Sequence, residues 1–353
     1  MQELEAYLLE FYQIDIKSED MTFAQLFKEW VEYKRSFINV KNSSKSLSPS
    51  TIRRYERDYD KHLAGSELCN VPINSLSPIK LESYLLKIID STEIYEQAVS
   101  NLIGYVRQAF AYAYRAGYIR SDPAAAIDRS LILSHATANR VHTDEERILS
   151  HSEMKVLHAA VIDHETLYPH YAPDYAVELA MLTGMRVGEI SALHWSDIDD
   201  EVIHIDFSEH RIDIKNKPSE LVIDEPKNRK HRTFPLTPEI SSLLAKIRAA
   251  APYFPEGFVF SNKDGSRYTG HDISCAVSRR GLEAGIPNVS IHRIRRTVSS
   301  ILRTYLPART VAALLDHREE TGTASYSYDV AEKSAKLEAL EQLYSFVLTP
   351  NKR

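Results

Sequence analysis

The sequence predicts a mainly α, two-domain fold, in which a bundle of helices precedes a larger, mostly helical domain holding a small antiparallel β-sheet. Three observations carry this expectation. The chain has 353 residues, more than one compact hydrophobic core organises comfortably. Apolar residues recur at helical spacing through both halves, with Pro and Gly placed where helices start and stop. Short strand-like runs cluster between 202 and 236. Hydrophobic residues at 43% and charged residues at 26% are the proportions of an ordinary globular chain, which excludes bulk disorder.

In chain order, residues 1–20 read as a short acidic helical segment. From Met21, Phe23, Leu26, Phe27, Trp30 and Val31 fall on one helical face with charges opposite. Ser48-Pro49 and Ser77-Pro78 each offer a helix N-cap followed by proline at the first helical position, opening helices over about 49–63 and 78–90. A further run, 92–116, ends at Gly117, which suits a left-handed helix stop. Residues 21–127 therefore read as one helical bundle. The stretch 128–146 lacks sustained periodicity and predicts a linker, and 147–353 form the second domain. There Ser150 and Glu153 have capping-box spacing, and helical pattern continues through 174–193. Runs at 202–207, 211–214, 221–224 and 233–236 read as strands of one sheet. Helices return at 238–249, 271–284, 292–304 and 308–315, and an amphipathic tail covers 331–347.

Several function classes are excluded. The two cysteines, Cys69 and Cys275, form no CxxC, so neither a disulfide scaffold nor a thiolate zinc site is expected, and a reducing cytoplasm is the natural compartment. The first residues lack the pattern of a signal peptide, and no run of apolar residues is long enough to span a membrane, so no membrane partner is expected. Glycine is scarce, at 11 residues, and neither GxGxxG nor GxxxxGK[ST] occurs. With no HExxH and no paired Cys/His set, the expectation is no cofactor and no metal.

Charge needs to be read by position. Forty-three Lys+Arg against 49 Asp+Glu leave a net charge of −6, which taken whole argues against a polyanionic partner. Yet residues 1–20 hold six acids and one lysine, and 196–225 hold ten acids and three bases. Residues 279–309 hold seven arginines against Glu283 alone. The chain is polarised, not uniformly acidic.

Four constellations carry chemistry. In Thr183-Gly184-Met185-Arg186-Val187-Gly188-Glu189, one helix gives way to another, and the spacing lets Glu189 orient the Arg186 guanidinium. The turn Pro226-Lys227-Asn228-Arg229-Lys230-His231-Arg232 is densely basic at an expected hairpin tip. His292-Arg293-Ile294-Arg295-Arg296 opens a helix, where His292 and Arg295 share a face suited to a phosphate and Ile294 points to the core. Leu314-Leu315-Asp316-His317 is followed by Tyr326. Each has a bland reading alone, as a surface ion pair, a solvated turn or a basic helix.

Their order resembles the tyrosine recombinase (phage integrase) family, including the integrases of phages and integrative mobile elements. The resemblance covers about 150–330, and more loosely 21–127, which is similar to that family's helical core-binding (SAM-like) domain. It implies a site-specific recombinase that cleaves and rejoins DNA through a covalent 3′-phosphotyrosyl intermediate. Tyr326 would be the nucleophile, Lys227 the acid for the departing 5′-oxygen, Arg186, His292 and Arg295 the ligands of the phosphate oxygens, and His317 a further hydrogen-bonding partner. Fixed cations suit the charge that develops on those oxygens, and a phenol needs such a site to react near neutrality. Asp316 stands where the family commonly has glycine, and Arg296 where it often has histidine. Tyr328 rivals Tyr326, and Lys230 rivals Lys227.

The implied partner is double-stranded DNA at attachment or crossover sites, clamped between the two domains. Arg53, Arg54 and Arg57 in one helix, Arg107 in a later one, and Arg229, Lys230, Arg232, Arg293 and Arg296 are the candidate DNA contacts. The family's tails pack on neighbouring subunits, which implies a tetramer on DNA and makes 331–347 an oligomerisation tail. Two rival readings are a type IB topoisomerase-like relaxing enzyme and a catalytically silent DNA-binding regulator.

Overall fold

The computed structural model describes residues 21–38, 46–139, 143–212, 219–225, 231–250, 257–315 and 330–348; the expected 1–20 helix lies outside them. The chain parts between 141 and 142 into two compact units.

In the first unit, α1 (Phe23–Arg35) starts at a capping box made by Thr22 and Gln25 and buries the predicted face of Phe23, Leu26, Phe27, Trp30 and Val31. Aromatic rings extend that core into α2 (Pro49–His62), with Tyr59 stacked on Phe27 at 4.6 Å and Tyr55 against Trp30 at 4.9 Å. Ser77 caps α3 (Pro78–Ser91), accepting from the Lys80 N–H at 3.3 Å. The long α4 (Glu96–Arg115) stops as expected, with Gly117 left-handed at φ 78°. The structure departs from the linker expected at 128–146. Asp128 caps a helix there, α5 (Arg129–Ser134), and Ile132 is fully buried in the first core. Six residues are too few turns for a periodic signal, so only the packing reveals this helix.

The second unit opens with α6 (Asp144–Arg147) and α7 (His151–Leu167), the latter started by the Ser150–Glu153 capping box. At its centre, α8 (Ala172–Thr183) is buried along its whole length. Two of its acids find basic neighbours: Asp174 meets His164 and Arg280, and Glu178 meets Lys246. A short helix, α9 (Val187–Ser191), follows. The strands are β1 (Val202–Ile205), β2 (Ser208–Ile212), β3 (Glu220–Asp224) and β4 (Arg232–Pro235). They form two separate pairs where one sheet was expected: β1 with β4, antiparallel from Val202↔Pro235 to Ile205↔Arg232, and β2 with β3. The division follows burial, because Ile203, Ile205 and Phe234 enter the core while β3 keeps no residue fully buried. Five helices complete the unit: α10 (Pro238–Ala250), α11 (Gly270–Glu283), α12 (Ile291–Tyr305), α13 (Ala308–Leu315) and α14 (Val330–Val347).

The tail helix α14 also differs from expectation. Ala339, Leu340, Leu343, Tyr344 and Val347 are buried in the core of their own unit, and the Thr237 hydroxyl donates to the Tyr344 oxygen at 3.1 Å. Each such leucine contributes about 1.5–3 kcal/mol by burial, enough to hold the helix on its own domain without a neighbouring subunit.

Candidate active site

The site begins where α8 ends. Gly184 closes that helix with a left-handed φ of 64°. A β-carbon there would lie 2.9 Å from Val298 Cγ1, so the turn runs hard against α12. Two residues on, Arg186 caps α9, its backbone N–H donating to Glu189 Oε2 at 2.8 Å and its Nη1 to Glu189 Oε1 at 2.9 Å. This is the pairing that the spacing predicts. The Arg186 side chain is 40% exposed and that of Glu189 only 1%, which places the guanidinium at the mouth and its carboxylate partner underneath.

Glu189 has a second partner. Arg232, at the start of β4, donates Nη1 to Glu189 Oε1 at 2.9 Å and Nη2 to Oε2 at 2.7 Å. Burial alone would raise the Glu189 pKa; the Arg232 bonds and charge, with the Arg186 N–H and charge, overcome it and hold the carboxyl at about 2. The site therefore keeps a fixed negative charge between two arginines.

The third motif comes from α12, which Ser290 caps by accepting from the Arg293 N–H at 3.2 Å. Ile294 is buried as expected. Arg295 is 4% exposed, and its Nη1 reaches the Gly184 carbonyl at 2.7 Å while Nη2 donates to the Leu315 carbonyl. His292 is exposed on the first turn. Its pKa is lowered by partial burial first, then by the charges of Arg296, Arg295 and Arg186. Three arginines from two motifs thus act on one imidazole, which is neutral at pH 7 for want of a nearby anion. A phosphate placed among them would supply that anion, at the positive end of α12.

Below this cluster lies a support that the sequence did not single out. A β-carbon at Gly188 would stand 2.7 Å from both the Glu209 carbonyl oxygen and Ser208 Oγ, so α9 presses directly on β2. The Glu209 carboxylate accepts from Gly270 N–H at 3.1 Å and Ser191 Oγ at 3.2 Å, and pairs with Arg267. Gly188 inside a short helix was the available signal of close backbone approach.

The other predicted residues divide three ways. Lys227, Arg229, Lys230, His317 and Tyr326, with Asp316 and Tyr328, lie outside the described residues. In the first unit, Arg54, Arg57 and Arg107 are exposed, while Arg53 pairs with Glu56 at 3.0 Å and Arg57 with Asp58 at 3.3 Å. Arg296 is exposed beside His292. Two expected DNA contacts are corrected. Arg232 is buried and held by Glu189 and the Leu314 carbonyl, so it faces no surface phosphate. The Arg293 side chain is 11% exposed and turns inward, donating to the Ile148 carbonyl at 3.0 Å and the Pro287 carbonyl at 3.0 Å. Among the described residues, no group of His, Cys, Asp and Glu could hold a metal ion, and no helix is long and apolar enough to cross a membrane.

A helical two-unit fold with converging arginines around a histidine describes a protein built to hold phosphodiesters. Residues 147–333, more than half of the chain, match the phage integrase family, and the chain belongs to that family of tyrosine recombinases. Among its relatives, a XerC-like tyrosine recombinase of Caldanaerobacter subterraneus subsp. tengcongensis is 24% identical over 360 residues, covering 94% of this chain and 85% of the relative. The integrase of Staphylococcus phage L54a is 22% identical over 333 residues, covering 89% and 90%. Among solved structures, the Tn1549 transposon integrase in complex with transposon right end DNA aligns with a TM-score of 0.64 at 20% identity, covering 91% of this chain and 100% of that one. A lambda integrase tetramer bound to a Holliday junction aligns at 0.60 and 15% identity, covering 92% and 88%. At these identities the structural likeness is one of fold.

Proposed function

We propose that this chain is an integrase that cuts and rejoins duplex DNA at specific sites to integrate and excise a mobile element. The observation that carries the reading is the convergence of Arg186, His292 and Arg295, with Arg295 bonded to the carbonyl two residues before Arg186. In the proposed reaction the Tyr326 oxygen attacks the scissile phosphorus and the bond to the 5′-oxygen breaks. Lys227 delivers a proton to that leaving oxygen. Arg186 and Arg295 hold the nonbridging oxygens as charge grows on them, and arginine suits this because its planar fork keeps its proton. His292 donates to the same oxygens once the phosphate raises its proton affinity, and His317 hydrogen-bonds nearby. The phosphotyrosyl bond retains the energy of the one cleaved, so attack by the free 5′-hydroxyl of a second strand reverses the step with no cofactor.

Double-stranded DNA is the proposed partner, with the core-binding domain of 21–127 presenting Arg53, Arg54, Arg57 and Arg107 to it and Arg296 contacting it beside the site. Support comes from the Tn1549 integrase, described with transposon end DNA, and from the lambda integrase tetramer on a Holliday junction. A tetramer on DNA is the corresponding assembly. The test uses nicked duplexes carrying the inverted repeats found in the DNA flanking the gene. The wild-type chain is expected to form a covalent adduct that Tyr326→Phe abolishes. An adduct that survives in Tyr326→Phe and disappears in Tyr328→Phe reassigns the nucleophile. No adduct with any such duplex, and relaxation of an unrelated plasmid, would replace the integrase by a topoisomerase-like enzyme.

A further inference from the structure

The sequence places Arg232 in a basic turn, but its side chain is buried and connects three parts of the site. Two of its nitrogens grip both oxygens of Glu189, and its Nε donates to the Leu314 carbonyl at 3.2 Å. Arg295 runs alongside with the same pattern: one nitrogen on the Arg186 turn, at Gly184, and one on the next carbonyl of α13, at Leu315. Both bridges therefore tie the Arg186 turn to the last turn of α13. The carbonyls there have no donor within their own helix and carry its negative end, so a guanidinium is well matched to them.

The connections matter because of what each tied element leads to. Glu189 orients Arg186. Arg232 opens β4, directly after the turn that carries Lys227. Leu314 and Leu315 end α13, directly before Asp316 and His317 and a short distance in sequence from Tyr326.

We propose that Arg232 is a positioning residue of strand cleavage, a strut that holds the Arg186 pair, the Lys227 strand and the carboxyl end of α13 in one register. The inference rests on the catalytic roles assigned above. A core contact alone gives little reason for a charge at this position, since an apolar side chain of similar volume often fills a buried ion-pair site equally well. What an apolar residue cannot do is fix the plane of Glu189 with a two-nitrogen fork while also holding a helix end. Removing the fork leaves Glu189 with Arg186 alone, and a small displacement of the Arg186 guanidinium is enough to slow phosphoryl transfer.

The test compares the wild-type chain with Arg232→Met and Arg232→Lys on the same nicked duplexes. For Arg232→Met, single-turnover adduct formation should fall about 100-fold while DNA affinity changes by less than about threefold. Its rate should also acquire an acid limb between about pH 5 and 8, absent from the wild type, because Glu189 loses its main partner and titrates upward. Arg232→Lys keeps the charge without the fork, and should cleave at an intermediate rate with unchanged affinity. Backbone amide exchange in 186–189 and 312–315 should rise together in Arg232→Met, a readout independent of DNA. Wild-type cleavage by a folded Arg232→Met, or affinity lost in step with rate, overturns the proposal. If Arg232→Met does not fold, wild-type cleavage by Arg232→Lys overturns it equally. Unchanged exchange in both segments overturns it even if no duplex is cleaved, whereas a wild-type chain that forms no adduct defeats the catalytic reading and leaves the exchange result to decide the strut.

Discussion

Replacing Gly184 with alanine tests whether the turn before Arg186 is held by shape as well as by backbone conformation. The residue is left-handed, at φ 64°. A side chain in that region costs about 1–2 kcal/mol. Its β-carbon would also lie 2.9 Å from Val298 Cγ1 and 3.2 Å from Leu315 Cδ2, two side chains with no exposed surface. Forcing a methyl group into such a place costs about 1–3 kcal/mol more. The sum is about 2–5 kcal/mol. Gly285 supplies a control in the same unit, with φ 71° and nothing within 4 Å of its would-be β-carbon, so Gly285→Ala meets only the first of the two penalties. Urea unfolding of the second unit should therefore rank Gly184→Ala below Gly285→Ala by about 1–3 kcal/mol. Because the Gly184 carbonyl receives Arg295 Nη1, the clash should also slow adduct formation at least about tenfold under conditions where the variant is folded. Equal stability of the two variants, or a full cleavage rate in Gly184→Ala, would refute the close approach of this turn to α12.

Two further outcomes follow from burial and charge. Arg293→Ala leaves the Ile148 and Pro287 carbonyls without their donor and should cost about 2–4 kcal/mol in urea unfolding, with the salt dependence of DNA affinity unchanged. Arg296→Ala should do the reverse, staying within about 0.5 kcal/mol in stability while the slope of log affinity against log salt falls by about 0.9 in a titration series. For Glu189, a folded pKa near 2 against an ordinary value of 4.5 means the stabilisation is fully present above pH 4.5 and is lost as pH falls from there toward 2. It amounts to about 3 kcal/mol, so stability measured at pH 6 and pH 3 should drop less in Glu189→Gln than in the wild type.

Local rules made much of the fold legible. The capping boxes at Thr22 and Ser150, the proline starts of α2 and α3 and the stop at Gly117 each depend on residues a few positions apart, and each appears where those residues stand. The Arg186–Glu189 pair was legible for the same reason. Arg232 was not, because its partners Glu189 and Leu314 are 43 and 82 residues away and nothing in a basic run marks the one member that turns inward. Arg293 was closer to legible. At 100° per residue His292 and Arg296 lie within about 40° of each other on the wheel, whereas Arg293 stands about 100° from His292 and meets the chain at Ile148. The periodicity used to place Ile294 in the core would have separated Arg293 from its neighbours. Glu209 left no trace, since its partners at Ser191, Arg267 and Gly270 come together only when β2 crosses the end of α9 and the start of α11.

The arginine-rich stretch 279–309 shows why charge counted along a sequence misstates attraction for DNA. Of its seven arginines, Arg280 and Arg295 are buried and Arg293 is nearly so, each held by carbonyls or carboxylates of the protein. Arg279, Arg296, Arg303 and Arg309 are exposed. Only the exposed group releases counterions on meeting phosphates, each adding about 0.9 to the salt slope. The buried group acts through geometry: Arg295 joins the Gly184 turn to α13, and Arg293 ties α12 to the chain before α7. One run of sequence thus supplies both the frame of the site and its field. A substitution in either class lowers strand exchange, but salt distinguishes them, because added ions weaken what the exposed arginines contribute and leave the frame intact.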